Sequence, residues 1–190
     1  MKRTPTVVLI DAGYFSKLTF YFGNNKHLKV DIESFAKYLS IKLGLWCEKI
    51  YYYTAPPFQS AKPSPDEQER KRKYDIFANK LKQANITLRE GRLQKINGEF
   101  TQKGVDTLLT MDLIQLAASK KYSTIILVAC DTDFVPVIKE AKENHTVNTH
   151  LYYYSDRIRN SPFSLSNHLI ESCPSKTLLD KEYFIRNLKK

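Results

Sequence analysis

The stretch Thr124-Ile125-Ile126-Leu127-Val128-Ala129-Cys130-Asp131 is the most hydrophobic in the chain and stops at an aspartate. An earlier one, Val7-Val8-Leu9-Ile10-Asp11, is built the same way. Neither alternates with polar residues, which marks strands buried on both faces, as in a parallel sheet. Parallel strands need crossovers, and helical spacing supplies them. Ile32, Phe35, Ala36, Leu39 and Leu43 follow an N-cap at Asp31; Tyr74, Phe77, Ala78 and Leu81 form a second stripe. Leu109, Leu113, Leu116 and Ala117 share one face of a helix starting at Gly104, and shorter helices begin near Tyr14 and Asp133. Further strands fall at Lys49–Thr54, about Ile86–Glu90 and Val147–Tyr153. A Pro-rich loop spans Ala55–Pro65, and a hairpin or loop is expected at Asn97-Gly98. In the tail, Leu165–Ile170 reads as helical and Tyr183–Leu188 as a last short element. The alternation predicts a doubly wound α/β sheet in one domain of 190 residues.

Composition narrows the functional classes. No apolar run approaches the roughly 20 residues of a spanning helix, so no membrane association is expected. The residues before Asp11 are too few for a signal-peptide core, and export is not expected. Three cysteines, Cys47, Cys130 and Cys173, suit neither a disulfide framework nor a zinc site and fit a reducing cytoplasm. The net charge of +10 points to nucleic acid as partner, against the plainer reading of a solvated basic surface. Residues 62–103 alone carry eleven basic and six acidic side chains. Within them, Arg70-Lys71-Arg72-Lys73 is either a solvated helix face or a nucleic-acid contact. The four histidines show no ligand spacing, and no Ser-His-Asp arrangement or glycine-rich phosphate loop is present. A homo-oligomer is compatible with this composition.

Four of the ten aspartates hold special places. Asp11 and Asp131 each follow a buried strand, so both emerge at the carboxyl edge, where open α/β sheets bind ligands. Asp106 lies near a helix start, three residues before Leu109, and crossover helices begin at that same edge. Asp133 follows Asp131 by two residues. Each acid also has a structural reading: Asp133 or Thr132 as a helix cap, Asp11 as a partner of turn amides, Asp106 as a helix-dipole partner. As a set, crowded carboxylates repel unless a cation sits among them, and hard oxygen donors suit Mg²⁺ or Mn²⁺. Asp112 stands about 240° round the helix from Asp106, so the two cannot address one ion alike. Its alternatives are direct ligation in support of the site or a hydrogen bond within the protein, to strand ends or a basic side chain.

The stretches LIDAGYF (Leu9–Phe15), KGVDTLLTMDLIQLA (Lys103–Ala117) and LVACDTDFVPVIKEA (Leu127–Ala141) together resemble the NYN family, in its LabA-like branch of the PIN-like nucleases. The resemblance covers about residues 6–154 and leaves about 155–190 as a C-terminal extension of the single domain. It implies a three-layer PIN-like fold with a five-stranded parallel sheet in the order 3-2-1-4-5. It also implies a Mg²⁺- or Mn²⁺-dependent ribonuclease with Asp11, Asp106 and Asp131 as core acids and Asp133 as the supporting one. Two positions depart from the pattern: Tyr14 stands where asparagine is frequent, removing a polar neighbour, and Cys130 stands where glycine is common, adding bulk.

The expected function is therefore metal-dependent endoribonucleolytic hydrolysis of single-stranded or loop RNA, with no covalent intermediate on the protein. The alternative is an RNA-binding or regulatory module that keeps the fold without turnover. A phosphotransfer protein fits worst, because the Lys-Gly-Val-Asp motif has no place in one. For the substrate, Lys103 adjoins the Gly-Val-Asp motif and is placed either to hold a phosphate or to neutralise the acids. Arg89 and Arg92 flank the third strand's end. Tyr14 and Phe15 are read either as core or as a platform for an unpaired base.

Overall fold

A computed structural model describes residues 3–96, 98–155 and 167–189, without the side chains of Ile96 and Asn167. In chain order the strands are β1 (Pro5–Asp11), β2 (Trp46–Thr54), β3 (Ile86–Glu90), β4 (Arg92–Ile96), β5 (Glu99–Lys103), β6 (Thr124–Val128), β7 (Asn148–Tyr153) and β8 (Ser175–Leu178). The helices are α1 (Ala12–Phe22), α2 (Ile32–Lys42), α3 (Pro65–Gln83), α4 (Val105–Ala118), α5 (Val135–His145), α6 (Asn167–Ser172) and α7 (Lys181–Ile185). A 3-10 turn, Thr132–Phe134, precedes α5, so the regular helix starts two residues later than the Asp133 expected.

β1 and β6 lie side by side at the sheet centre, registered from Val7 with Ile125 to Ile10 with Val128. Val7 to Ile10 and Ile125 to Val128 have no exposed surface, as their unbroken apolar sequence requires. The main sheet is wholly parallel, in the order β3-β2-β1-β6-β7-β8. This corrects the five-stranded 3-2-1-4-5 sheet: there are six strands, because β8 extends the sheet beyond β7. β8 is only Ser-Lys-Thr-Leu, too short and polar to read as a strand. It is anchored from β7, where His150 Nδ1 and Nε2 hydrogen-bond Ser175 Oγ at 2.8 Å and Thr177 Oγ1 at 2.9 Å. β4 and β5 form a separate antiparallel hairpin, its turn passing through Gly98 at φ +86°; Asn97 lies outside the described residues, as does Leu165.

Helices cover both faces. Adjacent strand residues point oppositely, so the Tyr52 ring meets Phe15 of α1 and Phe77 of α3, whereas the Tyr53 hydroxyl reaches Asp112 of α4. α2 and α7 join the first layer through the Phe15, Phe35 and Phe184 rings; α5 and α6 join the second. Strand order runs outward from β1 to β3 one way and from β6 to β8 the other. It therefore reverses between β1 and β6, and such a switch point opens a crevice at the carboxyl ends of the two strands. Among the described residues no helix is long and apolar enough to cross a membrane.

Candidate active site at the carboxyl edge

Asp11 ends β1 and caps α1, its Oδ1 accepting the Gly13 N–H at 2.9 Å. Asp131 follows β6 and caps the 3-10 turn, its Oδ1 accepting the Asp133 N–H at 2.9 Å. Asp106 sits in the first turn of α4 behind Gly104, whose φ of +81° suits glycine. The turn-amide role foreseen for Asp11 is thus real, whereas the cap expected of Asp133 or Thr132 falls to Asp131, and these bonds hold both carboxylates at the crevice.

The electrostatics tie the acids together. Burial raises the Asp11 carboxyl to about 6, and the charge of Asp106 adds to this, against the opposing Gly13 N–H. Asp106 is raised by partial desolvation and then by Asp131 and Asp133. The Cys130 thiol is pushed up to about 11, chiefly by burial and then by Asp11. Asp11, Asp106, Asp131 and Asp133 therefore share one electrostatic neighbourhood, with the Cys130 thiol inside it. Lys17, exposed on α1, counters the repulsion at both Asp11 and Cys130.

The donor set is all oxygen apart from that thiol, as a hard divalent cation prefers, and a cation would relieve the mutual repulsion. In the arrangement seen, no three His, Cys, Asp or Glu side chains among the described residues are gathered closely enough to hold an ion. The residues fit a divalent cation in chemistry and in placement along the edge, without forming a closed cage.

Other expected residues lie elsewhere. Tyr14 does not offer a stacking surface: it is 1% exposed, and its hydroxyl accepts the Tyr154 N–H at 2.7 Å. With Leu18 it forms the sheet-facing side of α1, one helical turn apart. Phe15 is likewise core, edge-on to Phe35 at 5.2 Å. Arg89 is not a free phosphate ligand, because its Nε and Nη2 donate to Asp112 Oδ2 and Oδ1 at 2.7 and 2.9 Å. That pair also settles Asp112, buried and bonded by Tyr53 as well, as an anchor of α4 rather than a member of the acidic edge. Arg92 and Lys103 pair across the hairpin base and line a cleft of about 460 Å³ with Thr107 and Leu108.

Sequence reasoning missed Lys17 and Tyr53. Lys17 lies four residues after Gly13, the residue Asp11 caps, and helical period alone would have put it on that face. Tyr53 had no signal beyond the tyrosine triplet of β2.

Fold and site together define a doubly wound α/β domain carrying an acidic edge at its switch point. The chain matches the NYN domain across residues 5–179 and belongs to that family. The NYN domain is a PIN-like, nuclease-type domain, and domains of this type typically use divalent metals. One similar curated protein is the uncharacterized protein y4oD of Sinorhizobium fredii, 43% identical over 60 residues. That match covers 32% of this chain and 28% of the relative, so the chain spans well under two thirds of that protein. A crystal structure of a protein of unknown function from Vibrio parahaemolyticus superposes with a TM-score of 0.60 over 96% of both chains. At 15% identity this likeness concerns the fold alone.

Proposed function

We propose that this NYN domain is a Mg²⁺- or Mn²⁺-dependent endoribonuclease that hydrolyses phosphodiester bonds of single-stranded or loop RNA. The observation that carries the reading is the gathering of carboxylates at the switch point, where Asp11 and Asp106 are raised chiefly by burial and further by the neighbouring acids. Asp11, Asp106 and Asp131 would hold the ion, with Asp133 in support. A bound divalent ion supplies polarisation of a phosphoryl oxygen and a more acidic water. Lys17 and Lys103 draw the RNA backbone toward an edge whose own carboxylates repel it, and Lys103 stands three residues before Asp106. The three quoted motifs support an assignment to the LabA-like branch. Its three free cysteines, Cys47, Cys130 and Cys173, suit the reducing cytoplasm.

A second reading, an RNA-binding module without turnover, is favoured by one observation. Asp11 and Asp131 both spend Oδ1 on capping bonds, and among the described residues no three acids stand together as a cage.

Cleavage of end-labelled single-stranded RNA, with Mn²⁺ or EDTA, decides between them. Asp131→Asn keeps shape and deletes a charge, so under the nuclease reading cleavage falls to near the EDTA level while RNA binding persists. Binding should weaken with salt at a log-log slope of about −0.7 per phosphate neutralised. If the wild type shows no metal-stimulated cleavage of any RNA, yet binds RNA equally with and without Asp131, the catalytic reading is wrong.

A further inference from the structure

β4 leaves the carboxyl end of β3 after a single residue, Gly91, and β5 returns directly to Gly104 at the start of α4. The hairpin thus rises from the same edge as the acids. Its base is locked: the Gly91 N–H donates to Thr54 O at 2.8 Å, and a Cβ on Gly91 would lie 2.4 Å from the Lys103 carbonyl oxygen. Beyond that base the arm has little to hold it. All five residues of β5 are exposed, and a two-stranded hairpin without a covered apolar face is marginal in water.

The arm nevertheless carries an aromatic surface. Lys95 and Phe100 are directly opposite across the ladder, with Lys95 Nζ 5.6 Å from the centre of the Phe100 ring. Phe100 is 53% exposed and leans on Phe58, whose ring centre is 5.6 Å away. Phe58 comes from the loop after β2, another carboxyl-edge segment. Arg92 and Lys103 lie about 10 Å down the arm, three strand residues from that pair and therefore on the opposite face, where they line the cleft with Thr107 and Leu108. Among the described residues, none of Arg92, Lys95 and Lys103 is in an ion pair with a carboxylate. The basic run on α3 differs, since Lys71, Arg72 and Lys73 are answered there by Asp75 and Glu69.

We infer that the β4–β5 arm is a binding site for unpaired nucleotides, with a base stacking on Phe100 and the adjoining phosphate held by Lys95. Resting on the nuclease reading, this assigns the arm to the RNA segment flanking the bond presented to the acidic edge. An unpaired cation beside a half-exposed ring suits a flat, anionic ligand. A duplex keeps its bases stacked and offers the ring nothing. An apolar protein segment would find too little apolar surface around it.

The test is fluorescence anisotropy of a labelled twelve-nucleotide oligouridylate in EDTA, against wild type, Phe100→Ala, Phe100→Tyr and Lys95→Gln. Phe100→Ala should weaken binding about tenfold, within the range for loss of one base–aromatic stack. Phe100→Tyr, which keeps the ring, should stay near wild type. Lys95→Gln should weaken binding and reduce the salt slope by about 0.7. Affinity for a blunt RNA duplex should be the same for all four proteins. Unchanged oligouridylate affinity in Phe100→Ala, or an equal loss on the duplex, overturns the proposal. A wild-type dimer in sedimentation that Phe100→Ala converts to monomer also overturns it, by giving the ring to a second copy. If the arm fails alone, wild-type RNA affinity and metal-stimulated cleavage remain. If the nuclease reading fails alone, cleavage is missing while Phe100→Ala still costs affinity. A wild type that binds no RNA ends both.

Discussion

Arg89 grips both carboxylate oxygens of Asp112 across the gap between β3 and α4, Nε to Oδ2 at 2.7 Å and Nη2 to Oδ1 at 2.9 Å. The Tyr53 hydroxyl from β2 donates to the same Oδ2 at 3.0 Å, so two strands hold the helix that carries Asp106 in its first turn. The pair is asymmetric: the Asp112 side chain is 7% exposed and that of Arg89 is 35% exposed.

That asymmetry predicts unequal costs. Arg89→Ala strands a buried carboxylate with only Tyr53 beside it, and should cost about 3 kcal/mol. Asp112→Ala leaves a guanidinium that water can reach, and should cost about 1–2 kcal/mol. Urea denaturation of both variants checks this. Equal losses, or a larger loss for Asp112→Ala, would show that the pair is not a buried anchor.

Asp11 should weaken the fold when charged. Its carboxyl is raised to about 6 from an ordinary 3.8, so the stability it contributes is present below about pH 4 and lost as pH rises through about 6. In EDTA at pH 7.5, Asp11→Asn should therefore be more stable than wild type by about 2 kcal/mol, somewhat less than the full shift implies. The gap should close between pH 6 and pH 4. Thermal melts across that range, with no convergence of the two curves, would refute this account.

Gly91→Ala should displace the arm from its base. The new methyl would fall 2.4 Å from Lys103 O and 2.7 Å from Val105 Cγ2, and the first of these is backbone that cannot swing aside. A loss of about 1–3 kcal/mol is expected from such overpacking. Because Val105 precedes Asp106, RNA cleavage should drop more than RNA binding, which kinetics and anisotropy on the same variant would separate.

His150 should make the β8 edge sensitive to acid. The ring is buried, and burial lowers its pKa below the usual 6.5, so its contribution is present above about pH 6.5 and is lost as pH falls through the folded value. Hydrogen exchange at Ser175–Leu178 should accelerate between pH 7.5 and pH 5 while β1 and β6 stay protected. Uniform protection of β8 across that range would exclude the mechanism.

The sequence by itself determined the features that depend on neighbours along the chain. β1 and β6 were legible because a strand buried on both faces must be apolar at every position. Asp31 was legible as a cap because its Oδ1 accepts an N–H only three residues on, from Ser34. Asp11, Asp106, Asp131 and Asp133 could be assigned to one edge because strand ends and helix starts alternate predictably in βα units. Tertiary structure decided what depends on partners remote in sequence. Asp112 could be turned away from Asp106 by helical angle alone, but Arg89 and Tyr53 reach it only once β2 and β3 lie beneath α4. Tyr14 suited both core and base stacking until Tyr154, from beyond β7, supplied the N–H that its buried hydroxyl accepts. β8 became a strand only through pairing along β7, where two hydroxyls also meet the ring of His150, since four mixed residues carry too little propensity to declare themselves. Local patterns are set by covalent neighbours, whereas burial and pairing are set by whichever distant groups the sheet brings alongside.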